Sequence, residues 1–493
     1  MKRFFSQIAV IFTCGMFLTT VYSCSSDSGE SFAEKTVEPS PEIHVCEINF
    51  NASLAGYDGQ VKSNSSTRAE NAETWKDGDK VYLRFTSPIG ITTGEAVYNA
   101  SKSNWMLSYY GSLYEDAANS CTAVYIENAE KAEANVILLN QHSIIYEDNT
   151  GSYIVEDGNL TVTANLKPKL GRLRFKGTAG KVMKVYDISH YTFYDASTHL
   201  YTDTNAAFES TVNSDGYTDY IYGYFTNETY PSVKLWIDKK EAYTRFFTSN
   251  VMVAGESGVM TIPTETSHSS WTWGLTFNID GKTMTMIPVE GGTFAMGNEA
   301  EENSKPVHNV TLDSYCIGET EVTDEFYCKA TGSTSAGSTI PRTMVKSSWQ
   351  SFANTFSSLT GGRFFLPTEA QWEYAARGGK KSKGYMYSGS NNIDDVAWYN
   401  NNSDKKYHPA KQKLPNELGL YDMSGNALEI VRDYWFTYTN SSEINPIGAS
   451  SSSYGIARGG RYDYGVSQLT TTCRSSWSNN SSNTIGGRMV IEW

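Results

Sequence analysis

The sequence predicts a multidomain chain, with all-β sandwiches in the N-terminal half and an α+β domain after them. Three observations carry that prediction. Short segments of alternating apolar and polar residues recur between Ile43 and Ile262, separated by turn residues. From Lys282 onward, helical patterns with a capping signature join the strands. Past the N-terminus, no apolar run is long enough to span a bilayer.

Residues 1–23 read as a lipoprotein signal peptide. Lys2 and Arg3 supply its positive start, Phe4 to Thr20 its apolar stretch, and Val21-Tyr-Ser-Cys24 its lipobox. Cys24 is the expected lipidation site. The run is too short and too interrupted by Ser6, Gln7 and threonines to be a transmembrane anchor. Residues 24–42 are a polar tether, and Ser25-Ser-Asp-Ser-Gly-Glu30 resembles the acidic export signals of Bacteroidetes surface lipoproteins. The expected location is therefore the bacterial outer membrane, with the chain lipid-anchored and surface-exposed. Formal charge is −14, and loss of Lys2 and Arg3 with the signal takes it to −16. Such an acidic chain, without a basic cluster, excludes nucleic acid as the expected partner. The 33 tyrosines suit extracellular β structure and contact surfaces.

The strands follow in order. Lys80-Val-Tyr-Leu-Arg-Phe85 places Val81, Leu83 and Phe85 on one face. Val136-Ile-Leu-Leu139 reads as a buried strand. Leu160 to Leu166, Arg172 to Phe175, Tyr191 to Tyr194, Ser232 to Ile237 and Gly258 to Ile262 continue the series. Two sandwiches are expected, over 43–155 and 156–270. Thr67-Arg-Ala69, Trp75-Lys-Asp-Gly-Asp79 and Leu170-Gly-Arg-Leu-Arg-Phe175 resemble motifs of the fimbrillin-like surface proteins. That resemblance implies display, as stalk, anchor or tip, rather than chemistry. Thr264 to about Asp280 reads as a linker.

The last domain spans 282–493. Ser347 to Leu359 reads as a helix with Trp349, Phe352 and Phe356 on one face. Thr368 to Arg377 reads as a second, where Thr368 and Gln371 form a capping box. Glu369 and Glu373 on it are catalytic by residue type, but structural hydrogen bonding is the expected role. Five motifs stand here in sequence: Ile287-Pro-Val-Glu-Gly-Gly-Thr-Phe-Ala-Met-Gly297, Glu319-Thr-Glu-Val-Thr323, Leu366-Pro-Thr-Glu-Ala-Gln-Trp-Glu-Tyr-Ala-Ala-Arg-Gly-Gly379, Gly419-Leu-Tyr-Asp-Met-Ser-Gly-Asn-Ala-Leu-Glu429 and Arg458-Gly-Gly460. Together they resemble the formylglycine-generating enzyme (sulfatase-modifying factor) family, which implies a C-type-lectin-like fold.

That family's oxidase chemistry uses a pair of nearby cysteine thiolates, whose soft sulfur suits Cu(I). This chain has only Cys473 in the corresponding stretch. One register puts Thr470 and Ser475 on the two cysteine positions, and an ungapped one puts Leu469 and Arg474 there. Leu428, Ile430 and Gly486-Gly-Arg488 also depart from the family pattern. Copper is accordingly not expected, no catalytic residue is assigned, and Cys473 reads as packing. Cys46, Cys121, Cys316 and Cys328 show no metal-binding spacing, and free thiols are expected. The resemblance implies a calcium site at Asp422, Gly425, Ala427 and Glu429, and a hard cation suits two carboxylates flanking a turn with carbonyls. The alternative is an Asp and a Glu that only cap the turn.

Tyr462 to Thr484 is rich in Tyr, Ser, Thr, Asn and Asp. Tyr462, Asp463, Tyr464, Arg474 and Trp477 are the expected contacts for a protein or glycan ligand. The lectin-like fold also hosts retroelement-diversified variable regions, and this composition is compatible with one. The expected function is thus a lipid-anchored surface protein with a non-catalytic, ligand-binding head, in adhesion or pilus-associated display. Two alternatives stay open: a formylglycine-generating-type oxidase with an altered site, and a structural pilus subunit or anchor.

Overall fold

The computed structural model describes residues 43–55, 57, 75–114, 119–131, 135–248, 252–263, 270–334, 337–478 and 485–493. The signal peptide, Cys24, the tether, Thr67-Arg-Ala69 and part of the 462–484 segment lie outside the described residues.

The first unit is a closed β-barrel rather than the expected sandwich. Its strands run Ile43–Leu54, Lys80–Ser87, Gly90–Asn99, Asn104–Tyr110, Asn119–Glu127, Ile144–Glu156 and Asn159–Pro168. Alternation sends Val81, Leu83 and Phe85 inward, and likewise Leu160, Val162, Ala164 and Leu166. Closure comes from parallel pairing of Ile48 to Leu54 with Leu160 to Leu166. That pairing removes the free edges an open sheet would leave. The expected boundary near 155 cuts a hairpin, because Glu156 pairs with Asn159 across Asp157-Gly158. Both turn residues have positive φ, 51° and 75°. Asp-Gly between two alternating segments is a turn signal for such a hairpin, and it moves the boundary past Pro168.

The middle unit packs two sheets face to face. One contains Gly171–Lys176, Ile188–Asp195, Ile221–Phe225 and Ser257–Thr261; the other contains Val182–Tyr186, Ser232–Ile237 and Glu241–Phe246. Leu173, Phe175, Ile188 and Phe225 meet Met183, Val185, Val233 and Leu235 between them.

The expected linker is structured where it is described. Thr272–Trp273 pairs with Tyr243 and Thr244 of the middle unit, and Leu275–Ile279 opens the first sheet of the last domain. Gly274 makes the corner at φ 90°, where a Cβ would lie 2.9 Å from the Met286 carbonyl oxygen. Its N–H donates to Ala242 O (2.8 Å), and its carbonyl accepts from the Thr244 hydroxyl (2.9 Å). Apolar burial explains the order: Leu275 and Phe277 are sealed in one core with Tyr186 and Trp236 from the middle unit.

The last domain has helices α1 (Asp324–Ala330), α2 (Lys346–Thr360), α3 (Glu369–Ala376) and α4 (Ile393–Val396) around small sheets. In α2, Trp349, Phe352 and Phe356 are buried along one face, as their spacing predicts. The α3 capping box forms: Thr368 Oγ1 accepts from Gln371 N (3.2 Å), and Gln371 Oε1 accepts from Thr368 N (2.9 Å). All eight residues of α3 are buried, so its polar side chains require internal partners.

Candidate functional site

For the two glutamates those partners are arginines from distant segments, and a third buried pair stands beside them. Glu369 takes both forks of Arg474, at 2.6 and 2.8 Å. Glu373 takes Arg458 at 2.5 Å and also accepts from Gly297 N–H (2.9 Å). Glu429, on the strand Glu429–Tyr434, holds Arg488 through contacts of 2.7 and 3.1 Å. Each of these six side chains is almost wholly buried. The two helix glutamates are thus part of the polar skeleton of the domain, each committed to a buried ion pair.

The 419–429 turn sits beside this skeleton. Asp422 is buried with φ 58°; its Oδ2 accepts from Lys411 N–H (2.9 Å), and its Oδ1 has no partner. Burial pushes its carboxyl up from an ordinary 3.8 to about 6. Glu429 is differently placed. One oxygen accepts from the Trp372 indole N–H (2.7 Å) and both lie against the Arg488 guanidinium. A carboxylate committed to a guanidinium and an indole does not fit a calcium ligand, so the expected set is not assembled as predicted. A residue the sequence reading gave no role stands in its place. Glu321 is buried; its Oε1 accepts from Asn426 Nδ2 (3.3 Å), while Oε2 is without a partner. Burial, then the nearby Asp422 charge, hold its carboxyl well above the usual range. Asp422 and Glu321 therefore offer the two orphaned oxygens here, and they fit a hard cation better than Glu429 does. Among the described residues, no three His, Cys, Asp or Glu side chains converge as a metal cluster. Glu321 was visible inside the Glu319-to-Thr323 motif, but nothing in a linear sequence shows that it folds onto the Asn426 turn.

The segment after Arg458 answers the question about sulfur. Leu469 is buried with Val396 and Tyr399. The Thr470 hydroxyl donates to Glu301 (2.8 Å), as does that of Thr472 (2.9 Å). Ser475 lies on the strand Arg474–Ser478, opposite Ala457. Arg474 is locked to Glu369 and lies 3.9 Å from the centre of the Tyr438 ring. It is a core residue, which corrects its expected place among the ligand contacts. Cys473 is half-buried, and burial pushes its thiol up against the opposing influence of Arg458. The five described cysteines, Cys46, Cys121, Cys316, Cys328 and Cys473, are all free.

Tyr462, Asp463 and Tyr464 form a part-exposed surface. Asp463 is gripped by Arg461 at 2.6 and 2.7 Å, and Tyr462 meets Tyr407 edge-on at 4.6 Å. The loop is pinned from below, since Tyr462 N–H donates to Asn426 O (2.9 Å). Asn426 in turn touches Glu321, so the aromatic surface and the acidic pair share one turn. Trp477 is half-buried against the domain core, as is Tyr464.

Comparison with known proteins places this architecture. Residues 277–493 match the model of the sulfatase-modifying factor enzyme 1-like domain. The Chaperone protein LppX of Paenibacillus barcinonensis is 30% identical over 199 residues, covering 29% of this chain and 69% of that protein. The chain belongs to the sulfatase-modifying factor family. The formylglycine-generating enzyme of Streptomyces coelicolor is 33% identical over 135 residues, 24% of this chain and 41% of the enzyme. The chain thus spans well under half of that relative. Among solved structures, Treponema denticola variable protein 1 aligns at 25% identity and TM-score 0.40, over 44% of this chain and 98% of that one. A fimbrial protein from Bacteroides ovatus aligns at 12% identity and TM-score 0.24, over 91% of this chain and 99% of that one. Within the sulfatase-modifying factor domain, every position either register offers for a second thiol holds Leu469, Thr470, Arg474 or Ser475. The donor set does not fit a two-sulfur copper site.

Proposed function

We propose that this protein is a non-catalytic binding protein displayed at the bacterial surface, with its sulfatase-modifying factor domain as the ligand-reading head. One observation carries the reading. Neither register leaves free groups at the thiol positions: Leu469 sits in an apolar cluster and Arg474 in a buried ion pair, while Thr470 is hydrogen-bonded to Glu301 and Ser475 lies in a strand. What the head presents instead is Tyr462 and Tyr464, braced by Arg461 and Asp463. Rigid aromatics beside short polar groups suit a protein or glycan ligand. Anchoring to outer-membrane lipid through Cys24 completes the proposal, and no helix of the described residues is long and apolar enough to cross a membrane.

Immobilised glycans and surface-protein extracts, screened with the full chain, test the binding role. A specific ligand should lose at least tenfold in affinity on Tyr462→Ala together with Tyr464→Ala, measured at a temperature where circular dichroism shows both proteins folded. A copper-dependent conversion of a cysteine peptide to formylglycine, lost on Cys473→Ser, would favour the altered oxidase instead.

Calcium belongs to the same reading, with Asp422 and Glu321 as its carboxylates and Glu429 left to Arg488. Binding to the folded state alone stabilises by about 2.7 kcal/mol at a hundredfold excess over Kd. Calcium should therefore raise the melting temperature, and Glu321→Gln should abolish that rise. An identical melting curve with calcium and with chelator would sink the assignment.

A further inference from the structure

We infer that a pocket at the seam of the barrel and the middle unit, remote in sequence from the head's aromatic loop, binds a carboxylate-bearing sugar residue such as a uronate or a sialate. The cavity is about 240 Å³ and is lined by Arg174, His142, Tyr220, Tyr222, Asp215 and Asp219, among others. Arg174 enters it from the strand Gly171–Lys176. Arg172, Arg174 and Lys176 alternate along Gly171–Lys176 and so share a face. Tyrosines interleave with them. Arg172 lies 4.5 Å from the Tyr57 ring centre and 4.2 Å from that of Tyr220, and Arg174 lies 4.7 Å from Tyr220 and 4.2 Å from Tyr217.

Arg174 differs from the three buried arginines of the head. Arg458, Arg474 and Arg488 each have a carboxylate partner. Arg174 is 4% exposed, its Nε is buried without an acceptor, and no ion pair compensates it among the described residues. The two ring faces offset part of the cost of burying that charge. An arriving carboxylate would offset more, because a guanidinium matches it in a two-pronged hydrogen bond.

The rim narrows the ligand class. Asp215 and Asp219 are exposed there, and each has one oxygen accepting from the chain, from Tyr217 N–H and from Asn213 Nδ2. Two carboxylates at the mouth repel a polyanion or an acidic peptide, but they accept hydrogen bonds from hydroxyl groups. His142 Nδ1 donates to the Tyr220 carbonyl (2.9 Å) and holds the tyrosine in place. The volume lies below the roughly 300–1,000 Å³ of pockets for drug-sized ligands, which suits a single sugar ring. One carboxylate, several hydroxyls and a ring to lie on tyrosine describe an acidic monosaccharide unit.

Titration calorimetry and saturation-transfer NMR on the full chain test this, with methyl glucuronide and N-acetylneuraminic acid as probes. Methyl glucoside, acetate and a tetraglutamate peptide are the comparators. Saturable binding of at least one acidic sugar is expected, at least tenfold tighter than methyl glucoside or acetate. Arg174→Gln should weaken it tenfold or more. Asp219→Ala, at an exposed position, should weaken the sugar several-fold without weakening acetate, and it decides the matter where Arg174→Gln perturbs folding. Tyr462→Ala in the head should leave this binding unchanged, which separates it from the proposed head site. Binding of neither acidic sugar overturns the inference. So does acetate, tetraglutamate or methyl glucoside binding as tightly, or an Asp219→Ala protein with unaltered sugar affinity.

Discussion

Arg458 contacts Glu373 and the carbonyls of Thr471, Thr472 and Cys473, so one side chain ties α3 to the segment where the thiols are missing. Breaking a buried ion pair from one side costs about 3–5 kcal/mol where the remaining charge is left alone; here Glu373 keeps the part-exposed Arg377 at 2.9 Å, which sets that figure as the upper end. Arg458→Met should therefore lower unfolding free energy by up to about that much in denaturant melts. Arg458→Met combined with Glu373→Met should recover a large part, because no buried charge is then left alone. Asp433 gives a pH prediction. Burial, then the Glu369 charge, push its carboxyl from 3.8 up to about 7. A folded value above the unfolded one means that the fold binds the proton more tightly. The stability from this group is complete below about pH 4 and is lost as pH rises to about 7. Asp433→Asn removes the penalty, and its Oδ1 can still accept from the Glu369 N–H. It should be more stable than the parent at pH 8 by up to about 4 kcal/mol, with the gap closing near pH 4. Parallel stability-against-pH curves for the two proteins would refute this. The sequence showed the glutamates on α3 and their structural character. It did not show which arginine each would meet, because their partners are more than eighty residues away.

Elements were legible where a local pattern sufficed. The α2 face and the α3 capping box both followed from spacing, and Thr368→Ala should cost about 1 kcal/mol, read as a shift in denaturation midpoint. The end of α2 shows what spacing misses. Gly361 caps it at φ 69°, and a Cβ there would lie 1.8 Å from the Asn205 carbonyl oxygen of the middle unit. Its own carbonyl accepts from Ala207 N–H (3.3 Å). Gly361→Ala should therefore destabilise the intact chain by more than the ~1 kcal/mol scale of a helix-propensity change. An effect below that scale would mean that the cap does not touch the middle unit. The closed barrel was missed for a related reason. Alternation marks strands but not their partners, and the parallel Ile48–Leu54 pairing joins segments more than a hundred residues apart.

At the scale of the molecule, the head and the middle unit share a core. Trp236 and the C-terminal Trp493 meet at 5.0 Å, Tyr186 meets Phe277 at 6.4 Å, and the Trp493 indole N–H donates to Glu209 (2.6 Å). A shared apolar core couples unfolding of the parts that build it. Calorimetry should show the middle unit and the head melting in one transition, and Trp236→Ala should lower the stability of both. A separate head transition that does not respond to Trp236→Ala would contradict this. Such a weld holds the Tyr462 surface in a fixed orientation relative to the middle unit rather than on a swivel.

The sequence by itself determined the family, the β character of the first half, the helices of the last domain and the shortage of sulfur. Each of these is written in local spacing or in residue identity. Only the tertiary structure decided that the first unit closes, that the described part of the expected linker forms two short strands, that Glu429 and Arg474 belong to ion pairs, and that the Glu321 carboxyl lies within electrostatic reach of Asp422. Those outcomes depend on which distant groups meet after water is excluded. A buried charge or an open strand edge takes whatever partner the fold brings to it.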